Sequence, residues 1–403
     1  MSTKKLKIII QATTAEVYHY FTNSTALRDW MCDVATADPR PGGHLYMCWS
    51  GDYYTSGEYL KLEKDKSVSF TWLGRGEPHK TRVEVALKKQ KGGTLIILAH
   101  REIGKGKKWV AIGENYEKEW QSALENLASV LENGPDLRIT RRPMLGIIVA
   151  DYNADIAAKL GVPVEYGTRL SDVVDGMGAQ KAGLQNDDVI ISIDGHELTT
   201  ATPFASTMAS KHAGDVVDVT FYRGRDKKTA KMTLSGRPIP PIPSSSLELS
   251  KQVEPIYHQF EKEIEEVLNT ASEAQCSHKP GPSEWSAKDV LAHLIHSELG
   301  WQNYATEIIG GHEPSYDDFA GNIQARIDGT VAIYQTKAEL LKELKAHDAE
   351  TVSMLAHIPT EFLSHIGRFW KLSYQANQNS YHLQAHLEQM RSAIQSAISV
   401  HIL

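Results

Sequence analysis

The sequence predicts a multidomain α+β protein: two β-rich blocks, then an antiparallel four-helix bundle. Three observations carry this. The chain has 403 residues, and at roughly 100–200 residues per domain that length divides into several domains. Apolar residues alternate in short runs before about residue 238 and recur at helical spacing after it. Between these regions lies GRPIPPIPSSS, residues 236–246, whose four prolines and three serines favour an extended, solvated linker. A second joint is read at Asn133-Gly134-Pro135-Asp136. The divisions are residues 1–136, 137–238, a linker at 239–247, and 248–403.

Composition narrows the function classes. Hydrophobic residues make up 41% and charged residues 23%, an ordinary globular balance. A net charge of −7 argues against nucleic-acid binding, and short basic runs such as Lys105-Gly106-Lys107-Lys108 read as solvated turns. Cys32, Cys48 and Cys276 offer neither a disulfide framework nor a C-x-x-C metal site. No apolar run approaches the ~18 residues of a membrane span. The isoleucine run of MSTKKLKIII stops at Gln11, too short for a signal-peptide core. A soluble, cytoplasmic protein is expected.

In block one, residues 5–10 read as a strand and 14–21 as a helix capped by Thr13 or Thr14. Strands follow at 44–50, 57–62, 67–72, 81–88 and 94–100, separated by turn signals such as Lys91-Gly92-Gly93. Residues 115–131 form a helix with Trp120, Leu124, Leu127, Val130 and Leu131 on one face. A long terminal helix over an antiparallel sheet is a helix-grip arrangement. The segments AEVYHYFTNSTALRDWM, PRPGGHLYMCWSG, GEYLKLEKDKSVSFTW and NYEKEWQSALENLASVLE, in this order, resemble the START-like (SRPBCC) superfamily. Within it they are most similar to the domain related to activators of the heat-shock-protein ATPase. The resemblance implies a cavity between sheet and helix for an apolar small molecule, and no shared catalytic residues. Trp30, Trp49, Trp72 and Trp109, with Tyr53 and Tyr54, either line that cavity or pack a core.

Block two begins with a turn, a strand and a short helix in RRPMLGIIVADYNADIAAKLGV. Gly-rich turns, a one-turn helix at 179–182, a strand at 189–193 and an Asp194-Gly195 turn follow. A helix opened by Thr202 and Pro203 and a final hairpin complete it. Met144-Leu145-Gly146-Ile147, Ala182-Gly183-Leu184 and DDVIISIDG resemble the PDZ domains attached to bacterial envelope proteases. The resemblance implies capture of a partner's C-terminal peptide: Leu145, Gly146 and Ile147 supply the carboxylate loop, and Met208 and Phe204 shape the pocket for the last side chain. No G-x-S-x-G elbow accompanies it, so recognition without proteolysis is expected.

Block three holds four helical stretches: 249–270, 286–308, about 330–357 and about 380–401. His382 and His386 are spaced i, i+4, and His293 lies on the second helix. Seventeen histidines make such a pair weak evidence by itself. PGPSEWSAKDVLAHLIHSE and YHLQAHLEQM, however, resemble the DinB family of four-helix-bundle proteins. The resemblance implies a divalent metal, zinc or nickel, on His293, His382 and His386, with His296, His347, His357 and His365 as surface or core residues. Glu298 reads as an ordinary polar helix position, with an acid–base or supporting role as the alternative.

The leading expectation is a modular binding protein joining these three activities. Alternatives are a metal-dependent thiol S-transferase or isomerase, as for some DinB relatives, and a co-chaperone or stress-response adaptor.

Overall fold

The computed structural model describes residues 1–49, 53–199, 204–208, 211–282, 284–312 and 323–400; the side chains at 107, 108, 110–114, 205, 206, 379–382, 399 and 400 lie outside that description. The chain forms two compact units, one of residues 1–130 with 135–239 and one of 131–134 with 240–403.

The first unit opens with β1 (Ser2–Ile10), α1 (Thr14–Thr22), α2 (Ser24–Trp30), β2 (Val34–Ala37), β3 (His44–Trp49), β4 (Tyr53–Glu63), β5 (Ser67–Gly74), β6 (Thr81–Gln90), β7 (Gly93–Ile103) and α3 (Lys107–Glu132). The strands make one seven-stranded sheet in the order β1-β7-β6-β5-β4-β3-β2. Each pairing is antiparallel. Alternation decides its faces: along β5, Val68, Phe70, Trp72 and Gly74 are buried and the residues between them are not. On α3, Trp120, Leu124, Leu127 and Val130 are buried, as the spacing predicts. Thr13 closes a capping box with Glu16 at the start of α1. The sequence reading missed α2 and β2, which are short and carry little periodicity.

After α3 the chain is pinned. Asn126 donates to the Trp30 carbonyl at 2.7 Å and accepts from the Leu137 N–H at 2.6 Å. Arg138, at the start of α4 (Leu137–Thr140), donates to the carbonyls of Cys32 and Arg28 at 2.8 Å and pairs with buried Asp136. The Cys32 and Arg28 carbonyls thus each gain a charge-assisted donor.

The second block contains β8 (Pro143–Met144), β9 (Ile147–Ala150), α5 (Ala154–Leu160), β10 (Thr168–Val173), α6 (Gly178–Lys181), β11 (Val189–Ile193), β12 (His196–Glu197), α7 (Phe204–Met208), β13 (Val216–Arg223), β14 (Asp226–Thr233) and β15 (Ser235–Gly236). Its main sheet runs β14-β13-β11-β10-β9, which leaves β9 at an edge. β11 is buried at all five positions and is the central strand, as expected of a continuous apolar run. Asp194 and Gly195 both have positive φ, 49° and 78°, the backbone of a type I′ turn. Asp188 is fully buried, and Arg223 answers it with two hydrogen bonds of 2.8 Å. Thr202 and Pro203, read as a helix opening, lie outside the described residues.

The second unit is helical: α8 (Ser246–Asn269), α9 (Glu273–Ser277), α10 (Ala287–Ile309), α11 (Gln324–Ile333), α12 (Lys337–Ala356), α13 (Thr360–Leu363) and α14 (Ile366–Val400). The third expected helix is two. Thr336 caps α12 through a box with Glu339, and that cap interrupts the stretch read as continuous. The last helix begins at Ile366, well before residue 380, because Phe369, Leu372 and Ala376 join the core of Val253, Tyr257 and Leu355. A separate apolar core gathers Ile264, Leu291, Leu294, Leu344, Leu387 and Met390.

Candidate functional site

The helical unit brings two of the three expected metal ligands together. Ser286 caps α10 in a box with Asp289, which starts the helix at a defined residue. From that start, Val290, Leu291 and Leu294 are buried, and His293 is buried beside them with 5% exposure. His386 reaches it from α14, so that the two Nε2 atoms are 3.1 Å apart. Trp285 packs on His293 with ring centroids 4.8 Å apart, and its indole N–H donates to Gln324.

The far side of His386 decides its tautomer. Its Nδ1 lies 2.9 Å from the Gln389 Oε1. An amide oxygen only accepts, so Nδ1 carries the proton and Nε2 presents a lone pair toward His293. Burial also lowers the His386 pKa, which favours the neutral ring that a metal needs. Two imidazole nitrogens bound to one ion at about 2.0–2.1 Å in a tetrahedral arrangement stand about 3.3 Å apart. The residues present therefore fit a divalent ion as neighbouring ligands. His382 is one turn before His386 on α14, and its side chain lies outside the described residues. Among the described residues no group of three or more His, Cys, Asp or Glu is placed to hold an ion.

The other histidines separate from this pair. His296 is buried, with Nε2 2.7 Å from Thr330 Oγ1. His347 faces Glu343 and Glu350, and exposed His357 bonds the Ser353 carbonyl. His365 is exposed.

Glu298 is not an ordinary polar surface residue. It is 5% exposed and accepts from Tyr257 at 2.7 Å and from Thr351 at 2.5 Å. Asp348 beside it is 2% exposed, and its Oδ2 has no hydrogen-bond partner. Burial, then the neighbouring carboxylates Glu298 and Glu261, raise the Asp348 pKa to about 9. Asp348 is therefore a neutral acid near pH 7. A signal for this cluster existed in the spacing: Leu340, Leu344, Asp348, Thr351 and Leu355 occupy the buried stripe of α12.

In the second block, Leu145 is buried in the core and its carbonyl accepts from the Ala179 N–H at 2.8 Å. Gly146 has φ +77°, and a Cβ there would stand 2.2 Å from the Met177 Cβ. Ile147 opens the edge strand β9, where Ile148 and Val149 are more than half exposed. Met208 is buried in the same core as Leu145, and Phe204 packs at its margin. The loop, the edge strand β9 and the side chains of Phe204 and Met208 thus belong to one block, with Leu145 and Met208 in one core.

The four tryptophans of the first block take different places. Trp30 is 1% exposed, edge-on to Phe21, with its N–H on the Tyr20 carbonyl. Trp109 packs against Gly104 and, at 4.7 Å, against the His79 ring. Trp49 and Trp72 stand 6.0 Å apart on the inner face, and Trp72 also meets Trp120 and Tyr116. Nearby, His100 Nδ1 accepts from Trp120 at 3.1 Å, while Nε2 lies 2.7 Å from Thr81 Oγ1. Thr81 itself donates to the Trp72 carbonyl, so His100 Nε2 carries the ring proton. Burial lowers the His100 pKa to about 3.

Comparison with known proteins bears on each block. The family described as activator of Hsp90 ATPase homolog 1-like protein matches residues 11–132, the PDZ domain 143–234 and the DinB superfamily 256–390. The chain joins an AHSA1 domain, an HtrA-type PDZ domain and a DinB superfamily domain, in that order. A probable periplasmic serine endoprotease DegP-like protein of Marinomonas sp. is 29% identical over 100 residues, which is 25% of this chain and 21% of that protein. The periplasmic pH-dependent serine endoprotease DegQ of Escherichia coli is 31% identical over 94 residues, 23% of this chain and 21% of its own. The chain spans about a fifth of the length of these relatives, and their protease activity stays with them. The solution structure of the Aha1 dimer from Colwellia psychrerythraea is 19% identical, covers 33% of this chain and 98% of its own, and has a TM-score of 0.30. Among the described residues, no helix of the AHSA1–PDZ–DinB chain is long and apolar enough to cross a membrane.

Proposed function

We propose that this chain is a cytoplasmic metal-dependent binding protein, in which the DinB domain holds a divalent ion, zinc or nickel, and the PDZ domain captures the C-terminal peptide of a partner. The observation that carries the metal reading is the His293–His386 contact, with Gln389 holding the His386 proton on the nitrogen that faces away. His382, one turn from His386, is the third ligand in this reading. A divalent ion in such a site polarises a bound group or lowers the pKa of bound water. The chain's own residues supply the rest: Trp285 covers the imidazoles, and burial keeps His386 neutral.

The peptide reading is supported by the open edge of β9 and the positive φ of Gly146, which brings bare backbone to the start of that edge. The AHSA1 domain takes a small molecule with an apolar body against its inner aromatic face. The cytoplasmic setting is supported by cysteine usage, since the three cysteines of the chain offer no disulfide framework.

Elemental mass spectrometry of the purified chain tests the central claim. About one divalent ion per chain, lost in His293→Ala, His382→Ala and His386→Ala, is the expected result. Metal-free protein after reconstitution with zinc and nickel overturns it.

A further inference from the structure

The inner face of the AHSA1 domain carries an unanswered polar pattern. Glu77 follows β5 and turns back over Gly74. A Cβ at position 74 would lie 2.2 Å from the Glu77 Oε1 and 2.3 Å from the Tyr53 hydroxyl, so this approach needs the bare backbone of glycine. The Glu77 Oε1 accepts from the hydroxyls of Tyr53, at 3.2 Å, and Tyr116. Burial raises the pKa of both phenols, so both stay protonated and remain donors. The second oxygen, Oε2, is buried and has no partner. No ion pair reaches Glu77 among the described residues.

A further orphan shares this face. Thr55 is 2% exposed and its hydroxyl has no partner, and Trp72 beside it is 4% exposed. Thr55 pairs with Gly74 across β4 and β5, and Trp72 lies two residues earlier on the same face. Each unmet buried polar group is a cost to the folded chain. An apolar ligand leaves these costs standing. A ligand anion is repelled by Glu77. The walls are aromatic: Trp49 lies 5.5 Å from Tyr53 and 6.0 Å from Trp72, and Trp72 lies 6.2 Å from Tyr116. Carboxylate and aromatic faces together suit a cation able to donate hydrogen bonds.

We infer that this face binds a small organic amine, with its ammonium group on the free oxygen of Glu77 and its apolar body among Trp49, Trp72 and Tyr116. The inference rests on the reading that the AHSA1 domain takes a small molecule, and gives that molecule a chemical class. Thr55 is left to meet a polar atom on the ligand body, which separates functionalised amines from plain alkylamines.

Isothermal titration of the full chain with 4-phenylbutylamine, 4-phenylbutan-1-ol and N-acetyl-4-phenylbutylamine tests this. The amine is expected to bind at least tenfold tighter than either neutral probe. Glu77→Gln is expected to bring amine affinity down to that of the alcohol and leave alcohol affinity unchanged. The comparison of amine with N-acetyl amine uses the unaltered chain and stands even if the variant fails to fold. Equal affinity for all three probes overturns the amine inference and leaves the small-molecule reading intact. No binding by any probe overturns both.

Discussion

His293 and His386, 93 residues apart in the chain, bring their Nε2 atoms to 3.1 Å, and Gln389 takes the opposite nitrogen of His386 at 2.9 Å. Two nitrogens that close cannot both carry protons that point at each other. Either one donates to the other, or both lone pairs share an ion. Spacing along α10 and α14 allows this meeting, but packing of the two helices makes it.

The Gln389 contact gives the first prediction. Gln389→Ala removes the acceptor that fixes the tautomer of His386 without touching a proposed ligand. Metal affinity, read by chelator competition, is expected to fall about tenfold or more, while stoichiometry at saturation is kept. Unchanged affinity would show that Gln389 has no part in the site.

Asp348 sets a pH dependence for the helical unit. Its folded pKa is about 9, raised by burial and by Glu298 and Glu261. The folded state therefore holds a proton that the unfolded chain releases near pH 4. Stability from this group is full below about pH 4 and declines as pH rises toward 9. Thermal unfolding followed by helical circular dichroism is expected to show that decline. Asp348→Asn, with no proton to lose, is expected to flatten it.

His100 has the opposite sign. Its folded pKa, about 3, lies below the ordinary 6.5 because burial disfavours the charged ring. The unfolded chain takes up the proton first, so stability is full above about pH 6.5 and falls as pH drops toward 3. The loss is on the order of 3–5 kcal/mol at the acid end. Tryptophan fluorescence of Trp72 and Trp120, which flank His100, is expected to report the acid transition. His100→Gln, which does not titrate, is expected to shift that transition to lower pH.

Gly146 offers the test of the proposed peptide capture. Valine there meets Met177 and must hold φ near +77°, a conformation L-residues disfavour by roughly 1–2 kcal/mol. Gly146→Val is expected to abolish binding of a fluorescent peptide with a free C-terminus in anisotropy measurements, with metal content unaltered. An amidated peptide is expected to bind the unaltered chain at least tenfold more weakly, since the proposed contact of the loop is with a carboxylate.

Local chemistry alone determined the order of three domains and much of their detail. Thr13, Ser286 and Thr336 cap helices through boxes with Glu16, Asp289 and Glu339, side chains three residues away. The apolar run at β11 and the turn at Asp194-Gly195 are likewise local, because each depends on its own few residues. Spacing also held the buried position of Asp348, though its charge disguised it as a surface residue. Tertiary structure decided what no local rule contains. It selected His293 and His386 from 17 histidines, and it gathered Tyr53, Glu77 and Tyr116 from β4, the turn after β5 and α3. It also set Glu298 against Tyr257 and Thr351 on neighbouring helices. A polar side chain's partner, protonation and solvent access depend on what packs over it. That is fixed only when elements distant in sequence close on one another.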